Sequence, residues 1–207
     1  TDGSGNVYIT GTTLSTSGIA LGGHQNTLGG GNQDGYLVKF NGSGVRQWGT
    51  YYGGGGVDDG RSATCDVVGN VYLTGYTQST NGIALGGHQN TYGGGEDAFL
   101  VKFNGLGVRQ WGTYYGGIDI EQSYSITTDI AGNVYLTGLT QSLTEIASGG
   151  YQNTLGGLWD AFLVASAPEE LSKFLILYWL VWKSKDFDQH YDGITYAVFV
   201  SMGFALI

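Results

Sequence analysis

Histidine recurs at the same place in a repeated string, a pattern that could serve metal binding or acid–base catalysis. His24 and His88 both lie in the string GGHQNT. An imidazole held at one loop position could bind a metal ion or act as an acid or base. A third, closely similar string carries Tyr151 at the same place. Imidazole is therefore not required there, and the sequence predicts a planar side chain packed under a glycine-rich loop, with no metal bound.

Aspartate recurs in the motif D-x-x-G-N, which begins at Asp2, Asp66 and Asp129. A calcium loop needs about six oxygen ligands from alternating positions, and one Asp with one Asn does not provide them. Asp readily binds local backbone amides and Gly readily adopts a positive φ. The motif therefore predicts a hairpin turn.

The other acidic residues and the single cysteine give no stronger sign of a site. Asp58 and Asp59, with Asp119 and Glu121 one repeat later, are expected to be solvated loop charges rather than metal ligands. Cys65 lies in an apolar strand pattern with no recurring His partner, which predicts a small buried hydrophobe. We expect no metal and no cofactor in residues 1–164.

Aromatic and glycine-rich strings allow two further interpretations. Each copy of RQWGTYYGG carries one Trp and two Tyr, namely Trp48, Tyr51 and Tyr52, then Trp111, Tyr114 and Tyr115. These rings could stack on sugars, but packing between sheets is favoured because aromatic rings supply large buried areas. The glycines at 53–56 are no phosphate loop, since neither a lysine nor a helix follows.

Composition limits the class of protein. The chain has 39 Gly and 1 Pro among 207 residues, 14% aromatic and 12% charged residues, and a formal net charge of −9. Such a chain turns often, packs aromatic rings and is apolar enough to fold. It has no basic stripe that could neutralise phosphates, which excludes nucleic acid as a partner.

Internal repetition determines the predicted fold. GNVYITG from Gly5 returns as GNVYLTG from Gly69 and Gly132, a period of about 63 residues. Each period should contain four short strands, in the second copy at about 62–68, 70–77, 97–104 and 108–115, which form one antiparallel sheet. In DAFLVKF, Phe99, Val101 and Phe103 point to one face while Ala98, Leu100 and Lys102 point to the other.

A sheet with two largely apolar faces needs sheet neighbours on both sides. Radial stacking of blades supplies them, so the predicted fold is all-β, a partial β-propeller of four-stranded antiparallel blades. The blades are predicted at about 1–57, 58–120 and a truncated 121–164. A propeller usually has 4 to 8 blades, so we expect the chain to be a fragment with further copies before Thr1.

The motifs GNVYLTG, DAFLVKF and WGTYYGG occur in that order and resemble the SBBP family of bacterial β-propeller repeats. The resemblance implies a secreted or surface-exposed scaffold or binding module with no shared catalytic residues. Its implied partners are further blades of a longer chain and a protein or glycan ligand on the blade loops.

The sequence changes character after Val164, within a predicted strand. Residues 165–207 are predicted to form a short hydrophobic α-helical tail, in which Ser166, Pro168 and Glu169 fit a helix start. The apolar run at 171–182 is short for a membrane span of about 20 residues. Residues 193–207 carry no charge, as in part of a membrane helix, so the tail is predicted to contact a membrane.

This tail resembles the PrsW family of intramembrane proteases in two ordered motifs. Glu169, Glu170 and Lys173 match EExxK, and DGI at 192–194 followed by Tyr196 and GFA at 203–205 matches the second motif. The resemblance implies that Glu169 or Glu170 helps activate water for peptide cleavage in the membrane. The alternative is that both glutamates begin a helix and pair with Lys173. We favour the alternative, because the family's other helices and its histidine motif are not present.

Three functions remain open. The favoured one is a noncatalytic β-propeller segment at the cell surface or outside the cell, joined to an incomplete PrsW-like membrane tail at 165–207. The second is an intramembrane endopeptidase with a propeller attached. The third is a chimeric reading frame of two unrelated genes, because the join interrupts a strand without the exposed linker expected between domains.

Overall fold

The computed structural model describes residues 1–148 and 150–166, and within them the chain forms β-strands and no helix. Strands form where apolar residues alternate, and they end at short turns rich in Gly, Asn and Asp. The strands are β1 (Val7–Thr13), β2 (Asp34–Phe40), β3 (Arg46–Tyr52), β4 (Asp58–Cys65), β5 (Val71–Thr77), β6 (Asp97–Phe103), β7 (Arg109–Tyr115), β8 (Glu121–Thr128), β9 (Val134–Thr140) and β10 (Asp160–Ser166). The all-β prediction for this part of the chain is confirmed.

The strands form three antiparallel sheets. The first sheet has the order β1-β2-β3, the central sheet β4-β5-β6-β7, and the third sheet β10-β9-β8. In the central sheet Val71 pairs with Phe103 and Thr77 with Asp97, so the second and third strands of the repeat are neighbours as predicted. The second copy therefore forms one four-stranded sheet. The described parts of the first and third copies form three strands each.

The predicted position of the first strand of the repeat was wrong by several residues. It was expected at 62–68, whereas β4 begins at Asp58 and ends at Cys65. The turn begins at Asp66, whose backbone amide donates to the carbonyl of Asn70. A β-bulge between Gly60 and Ser62 lets the strand extend toward its N-terminal side. The acidic residue Asp58 consequently lies in a strand rather than in a loop.

The two faces of the central sheet belong to two separate cores. One core joins Phe99, Val101 and Phe103 to Leu37 and Tyr52 of the first sheet. The other core joins the opposite face of the central sheet to the third sheet, and its buried residues are Tyr72, Ala98, Leu100, Ile126, Val134, Leu136 and Phe162. The predicted alternation of DAFLVKF is confirmed, because Phe99 and Leu100 lie in different cores.

The long loop of each of the first two copies packs along the last strand of its own sheet. Leu21 and Gly49 exchange backbone hydrogen bonds of 2.8 and 3.0 Å, and Leu85 and Gly112 do the same in the second copy. These contacts pair backbone groups of a strand that would otherwise be an open edge.

Candidate functional site

Among the described residues, the recurring acidic side chains are the strongest candidates for ligand binding or catalysis. Glu169 and Glu170, the catalytic candidates of the sequence, lie outside the described residues. The remaining question is whether the acids of the three sheets are available for a ligand or a reaction. A carboxylate whose lone pairs all accept bonds from the chain is not open to a ligand. The hydrogen bonds of each acid therefore decide whether it is available.

Each D-x-x-G-N motif closes a hairpin around its aspartate. Oδ1 of Asp66 accepts bonds from the amides of Val68 and Asn70 at 3.1 and 2.8 Å. Its Oδ2 accepts from the side-chain amide of Asn70 at 2.7 Å and from the hydroxyl of Tyr72 at 3.3 Å. Gly69 has a φ of 86°, as the turn requires. The hairpin prediction is confirmed.

The first and third copies repeat these bonds around Asp2 and Asp129. Burial opposes ionisation of Asp2, but hydrogen bonds from Asn6, Tyr8 and Ser4 outweigh it and lower its pKa to about 2. Hydrogen bonds led by that of Asn133 lower the pKa of Asp129. Bonds to the charged form stabilise it, so these carboxylates act as anionic centres of turns.

A second set of carboxylates lies where two sheets meet. Oδ2 of Asp34, in β2, accepts from the amide of Gly29 at 2.7 Å and from Gln25 at 3.0 Å. Asp58, in β4, accepts bonds from the hydroxyls of Thr77 and Ser79 and from the amide of Gly54. Both acids are fully buried. The first and central sheets thus each contribute one buried carboxylate.

Gly53 lies between these two carboxylates. A methyl group on it would be 2.5 Å from Oδ1 of Asp34 and 2.7 Å from Oδ2 of Asp58. Oδ1 of Asp34 has no hydrogen-bond partner within the described residues. Burial, with a contribution from the charge of Asp58, raises the pKa of Asp34 to about 6, although the bonds from Gly29 and Gln25 oppose the shift. Burial also raises the pKa of Asp58, against its hydrogen bonds.

The next pair of sheets repeats the arrangement with Asp97 and Glu121 around Gly116. A methyl group on Gly116 would be 2.6 Å from Asp97 Oδ1 and 2.8 Å from Glu121 Oε2. Glu121 accepts from the amide of Gly117 at 2.7 Å and the hydroxyl of Thr140 at 2.6 Å. Burial and the charge of Glu121 raise the pKa of Asp97 to about 6, against bonds from the amides of Gly93 and Gly94.

The expectation that the acids at 58, 59, 119 and 121 are solvated loop charges is therefore wrong for three of them, since Asp59 also lies in β4 with its side chain 16% exposed. Asp58 and Glu121 are fully buried. Asp58 accepts a hydrogen bond from the amide of Gly54, and Glu121 accepts one from the amide of Gly117. Asp59 pairs with Arg61 at 3.1 Å, and Asp119 is exposed as expected. Sequence reasoning also missed Asp34 and Asp97. The sequence does contain a signal for these two residues, because an aspartate begins the string DGYLV and both copies of DAFLV.

Three of the four backbone amides at 53–56 already donate hydrogen bonds to acceptors within the chain. Gly54 donates to Asp58, Gly56 donates to Ser79 Oγ at 2.8 Å, and Gly53 donates to Gln25 Oε1 at 3.3 Å. An anion would have to displace these internal acceptors. The interpretation that this run is not a phosphate loop is supported.

The histidine position is exposed in all three copies. One side of the His24 ring lies 6.4 Å from the Tyr52 ring and 6.2 Å from the Phe103 ring, between centroids. This partial burial, with the nearby charge of Arg109, lowers the pKa of His24. The packed-ring prediction is wrong for Tyr151, which is 106% exposed, and His88 is exposed as well, so ring packing is seen at His24 alone among the described copies. No sheet of the described residues covers that loop as the central sheet covers His24.

The aromatic residues pack between sheets, as predicted. Trp48 is 5% exposed, and its indole donates to the carbonyl of Gly105 in the next copy at 3.0 Å. Tyr52 is fully buried and donates to the carbonyl of Ile83 at 2.6 Å. Cys65 packs against the same core, and burial raises its pKa to about 11, which makes the thiolate scarce. The prediction of a packing rather than a nucleophilic cysteine is supported.

Neither a metal site nor a membrane span is found in the described part of the chain. Within residues 1–148 and 150–166, no three His, Cys, Asp or Glu side chains come together in a way that could hold a metal ion. The same residues include no helix long and apolar enough to cross a bilayer. Each buried carboxylate accepts hydrogen bonds from its own chain, and Oδ1 of Asp34 is the one carboxylate oxygen found buried without a partner among the described residues.

The described region thus defines a stack of antiparallel sheets, and comparison with known proteins concerns the last of these sheets and the residues that follow it. Residues 126–207 match the model of the PrsW family intramembrane metalloprotease. Protease PrsW of Geobacillus kaustophilus is 44% identical over 48 residues, and that of Oceanobacillus iheyensis is 40% identical over 48 residues. These matches cover 23% of this chain in both cases, and 21% and 22% of the two relatives. The chain therefore spans about a fifth of the length of the curated relatives it matches.

The matched interval begins inside the third sheet. Residues 126–166 include the last three residues of β8 together with β9 and β10. The same residues repeat motifs of the first two copies, namely GNVYLTG from Gly132 and DAFLV from Asp160. β10 ends at Ser166, two residues beyond the predicted change of sequence at Val164. The match therefore extends beyond the repeats over 165–207 and beyond the described strands over 167–207.

Proposed function

We propose that residues 1–164 are a noncatalytic scaffold of SBBP-like propeller blades, joined to a PrsW-like membrane segment at 165–207. One observation carries the noncatalytic assignment: the recurring carboxylates of the sheets are held by hydrogen bonds from their own chain, as at Asp66 and Glu121. A catalytic carboxylate needs a free lone pair within reach of the substrate, and the unpartnered Oδ1 of Asp34 belongs to a fully buried side chain. These groups instead stabilise turns and sheet contacts.

The propeller arrangement is proposed from the way the sheets pack. The central sheet buries apolar residues on both faces, and each face contacts a sheet made from an equivalent copy of the sequence. Repetition of one unit with two apolar faces is the principle by which blades build a propeller. A scaffold of this kind would offer its loops to a protein or glycan ligand outside the cell or at its surface.

The family match favours intramembrane proteolysis as the second candidate function. The matched family consists of membrane proteases, which supports membrane localisation of the matched part. In this alternative, Glu169 or Glu170 would help activate water, and a carboxylate in a low-dielectric site can work as a base because its pKa is raised. The described residues alone form no cluster of His, Cys, Asp and Glu side chains that could hold a metal ion. A chimeric reading frame is the third candidate, suggested by the overlap of the match with the repeats.

A membrane protease assay separates these proposals. The full chain, Glu169→Ala and Glu170→Ala are reconstituted in liposomes with a fluorogenic peptide that spans the bilayer. Glu145→Ala serves as the control, because Glu145 is an exposed loop residue of the described region. We expect the same background signal from all four proteins. Cleavage by the wild type and the control that is lost in either tail variant would overturn the noncatalytic proposal and establish the protease.

A further inference from the structure

The tight turns that join neighbouring strands lie together at one end of the stack of sheets, which we call the hairpin end. Two hydrogen bonds between sheets show this alignment. The indole of Trp48, near the start of β3, donates to the carbonyl of Gly105 at 3.0 Å, and the hydroxyl of Thr128, at the end of β8, donates to the carbonyl of Cys65 at 2.8 Å. The turns of the hairpin end are residues 2–6, 41–45, 66–70, 104–108 and 129–133.

Several of these turns expose large apolar side chains. Val67, Val68 and Leu106 of the central sheet are 73%, 79% and 75% exposed, and Ile130 of the third sheet is 90% exposed. The central sheet has another sheet packed on each of its faces, so the exposure of its turns does not depend on how the stack continues. Apolar side chains gathered at one surface mark an interaction site.

The backbone of these turns is suited to an apolar environment. Oδ1 of Asn104 accepts bonds from the amides of Leu106 and Val108 at 3.0 and 3.1 Å, and Oδ1 of Asp66 accepts one from the amide of Val68 at 3.1 Å. Amides without a partner are costly in lipid. The amides beside the exposed apolar side chains therefore do not need water as their acceptor.

Charge is distributed unevenly between the two ends of the stack. Within residues 1–166, the half of the sheets at the hairpin end holds four basic and three acidic side chains, a formal charge of +1. These residues are Lys39, Arg46, Lys102 and Arg109 with Asp2, Asp66 and Asp129. The opposite half holds one basic and nine acidic side chains, a formal charge of −8. An anionic surface therefore repels the opposite end and orients the stack with the hairpin end toward it.

The path of the chain places the hairpin end next to the segment that resembles a membrane protease. β10 runs toward this end, where Ser166 pairs with Val134, the residue that directly follows the turn at 129–133. The chain continues from there into 167–207, which belongs to the interval matched to the intramembrane protease family. The membrane segment proposed at 165–207 thus begins beside the exposed apolar turns.

We propose that the hairpin end lies on an anionic lipid surface, with the apolar side chains of its turns among the headgroups and upper acyl chains. This contact rests on the proposed membrane segment and is independent of whether that segment is proteolytic. Surface elements that combine apolar side chains with flanking Lys and Arg bind lipid in this way. The opposite end also exposes apolar residues, such as Ile118 at 75%, but its acidic charge directs it away from the bilayer, where its loops are open to a ligand.

The test locates single positions of the full chain relative to lipid. The chain is reconstituted in liposomes that contain phosphatidylglycerol, with a nitrobenzoxadiazole label on one introduced cysteine. Leu106→Cys labels the hairpin end, and Ile118→Cys is the matched control at the opposite end, because each replaced side chain is 75% exposed. Cys65 packs against the core, and burial raises its pKa to about 11, so it reacts slowly. The chain without an introduced cysteine measures this background.

We expect lipids with a nitroxide on the acyl chain to quench the label that replaces Leu106 and to leave the label that replaces Ile118 unquenched. Flotation of each chain with the liposomes tests the membrane segment separately. A chain that floats with no quenching at position 106, or with equal quenching at both positions, overturns the lipid contact of the hairpin end while the membrane segment stands. A chain that does not float overturns both.

Discussion

Asp34 and Asp58 approach each other across Gly53, one carboxylate from each of two packed sheets. A methyl group on Gly53 would contact an oxygen of each at 2.5 and 2.7 Å. Both side chains are fully buried, and the charge of Asp58 helps to raise the pKa of Asp34. The contact between the first and central sheets is therefore more favourable when Asp34 is protonated.

This relationship predicts a stability that falls as pH rises. The pKa values of Asp34 and Asp97 in the folded chain are about 6, above their ordinary value of 3.8. Between about pH 4 and pH 6 the folded state binds more protons than the unfolded state, so the free energy of unfolding decreases through this window. A shift of about two pKa units corresponds to about 3 kcal/mol. Relaxation and water penetration around a buried charge reduce such penalties, and we expect a loss on the order of 1 to 2 kcal/mol for each carboxylate.

Asp34→Asn isolates this effect. The amide keeps an acceptor for Gly29 and cannot ionise, so the variant should be more stable than the wild type at pH 8, by about 1 kcal/mol, and similar to it at pH 4. Urea unfolding of the full chain, followed by circular dichroism at both pH values, measures the difference. Asp119→Asn, at an exposed position, should change neither value. An Asp34→Asn chain that is destabilised equally at both pH values would contradict the prediction.

Leu100 and Leu163 occupy the same motif position in successive copies and predict very different costs of truncation. Leu100 is 7% exposed between two sheets, and Leu163 is 69% exposed. Leu100→Ala should lower the free energy of unfolding by about 2 to 4 kcal/mol, because it removes buried methyl groups and leaves a cavity. Leu163→Ala should change it by about 0.5 kcal/mol or less at concentrations where the chain is monomeric. Equal losses in urea unfolding would mean that the third sheet is covered in solution.

The histidines predict a negative result that is open to measurement. His24 and His88 lie on separate exposed loops, and no cluster of metal-binding side chains exists among the described residues. Calorimetric titration of the full chain with zinc should therefore give the same isotherm as the double variant His24→Ala/His88→Ala. A site that disappears in the double variant would show that the two loops bind metal.

Local patterns in the sequence were sufficient to predict the features that depend on neighbouring residues. The alternation in DAFLVKF placed Phe99 and Leu100 on opposite faces, because side chains of a strand alternate whatever surrounds it. The hairpin at Asp66 followed from residue types only four positions apart. Repetition then extended both results to the other copies.

Contacts between distant segments were not predictable in this way. Asp58 was expected in a solvated loop, yet it is buried because Thr77, Ser79 and Gly54 fold around it. Its approach to Asp34 depends on the packing of two sheets, which no local spacing describes. Tyr151 shows the converse, since the same loop is covered by a neighbouring sheet in one copy and is open in another.

The hairpin at Asp66 gives the last prediction. The carboxylate accepts bonds from the amides of Val68 and Asn70, the Asn70 side chain and the Tyr72 hydroxyl. Asp66→Ala removes all four contacts to a charged acceptor in this partly buried turn, which costs about 1 to 3 kcal/mol. Val68→Ala is the matched control in the same turn, because Val68 is 79% exposed, and its effect should stay within about 0.5 kcal/mol. Urea unfolding of both variants at pH 7 measures these changes. If Asp66→Ala is as stable as Val68→Ala, the carboxylate does not hold the hairpin, and the repeated aspartates would have to be explained by a ligand instead.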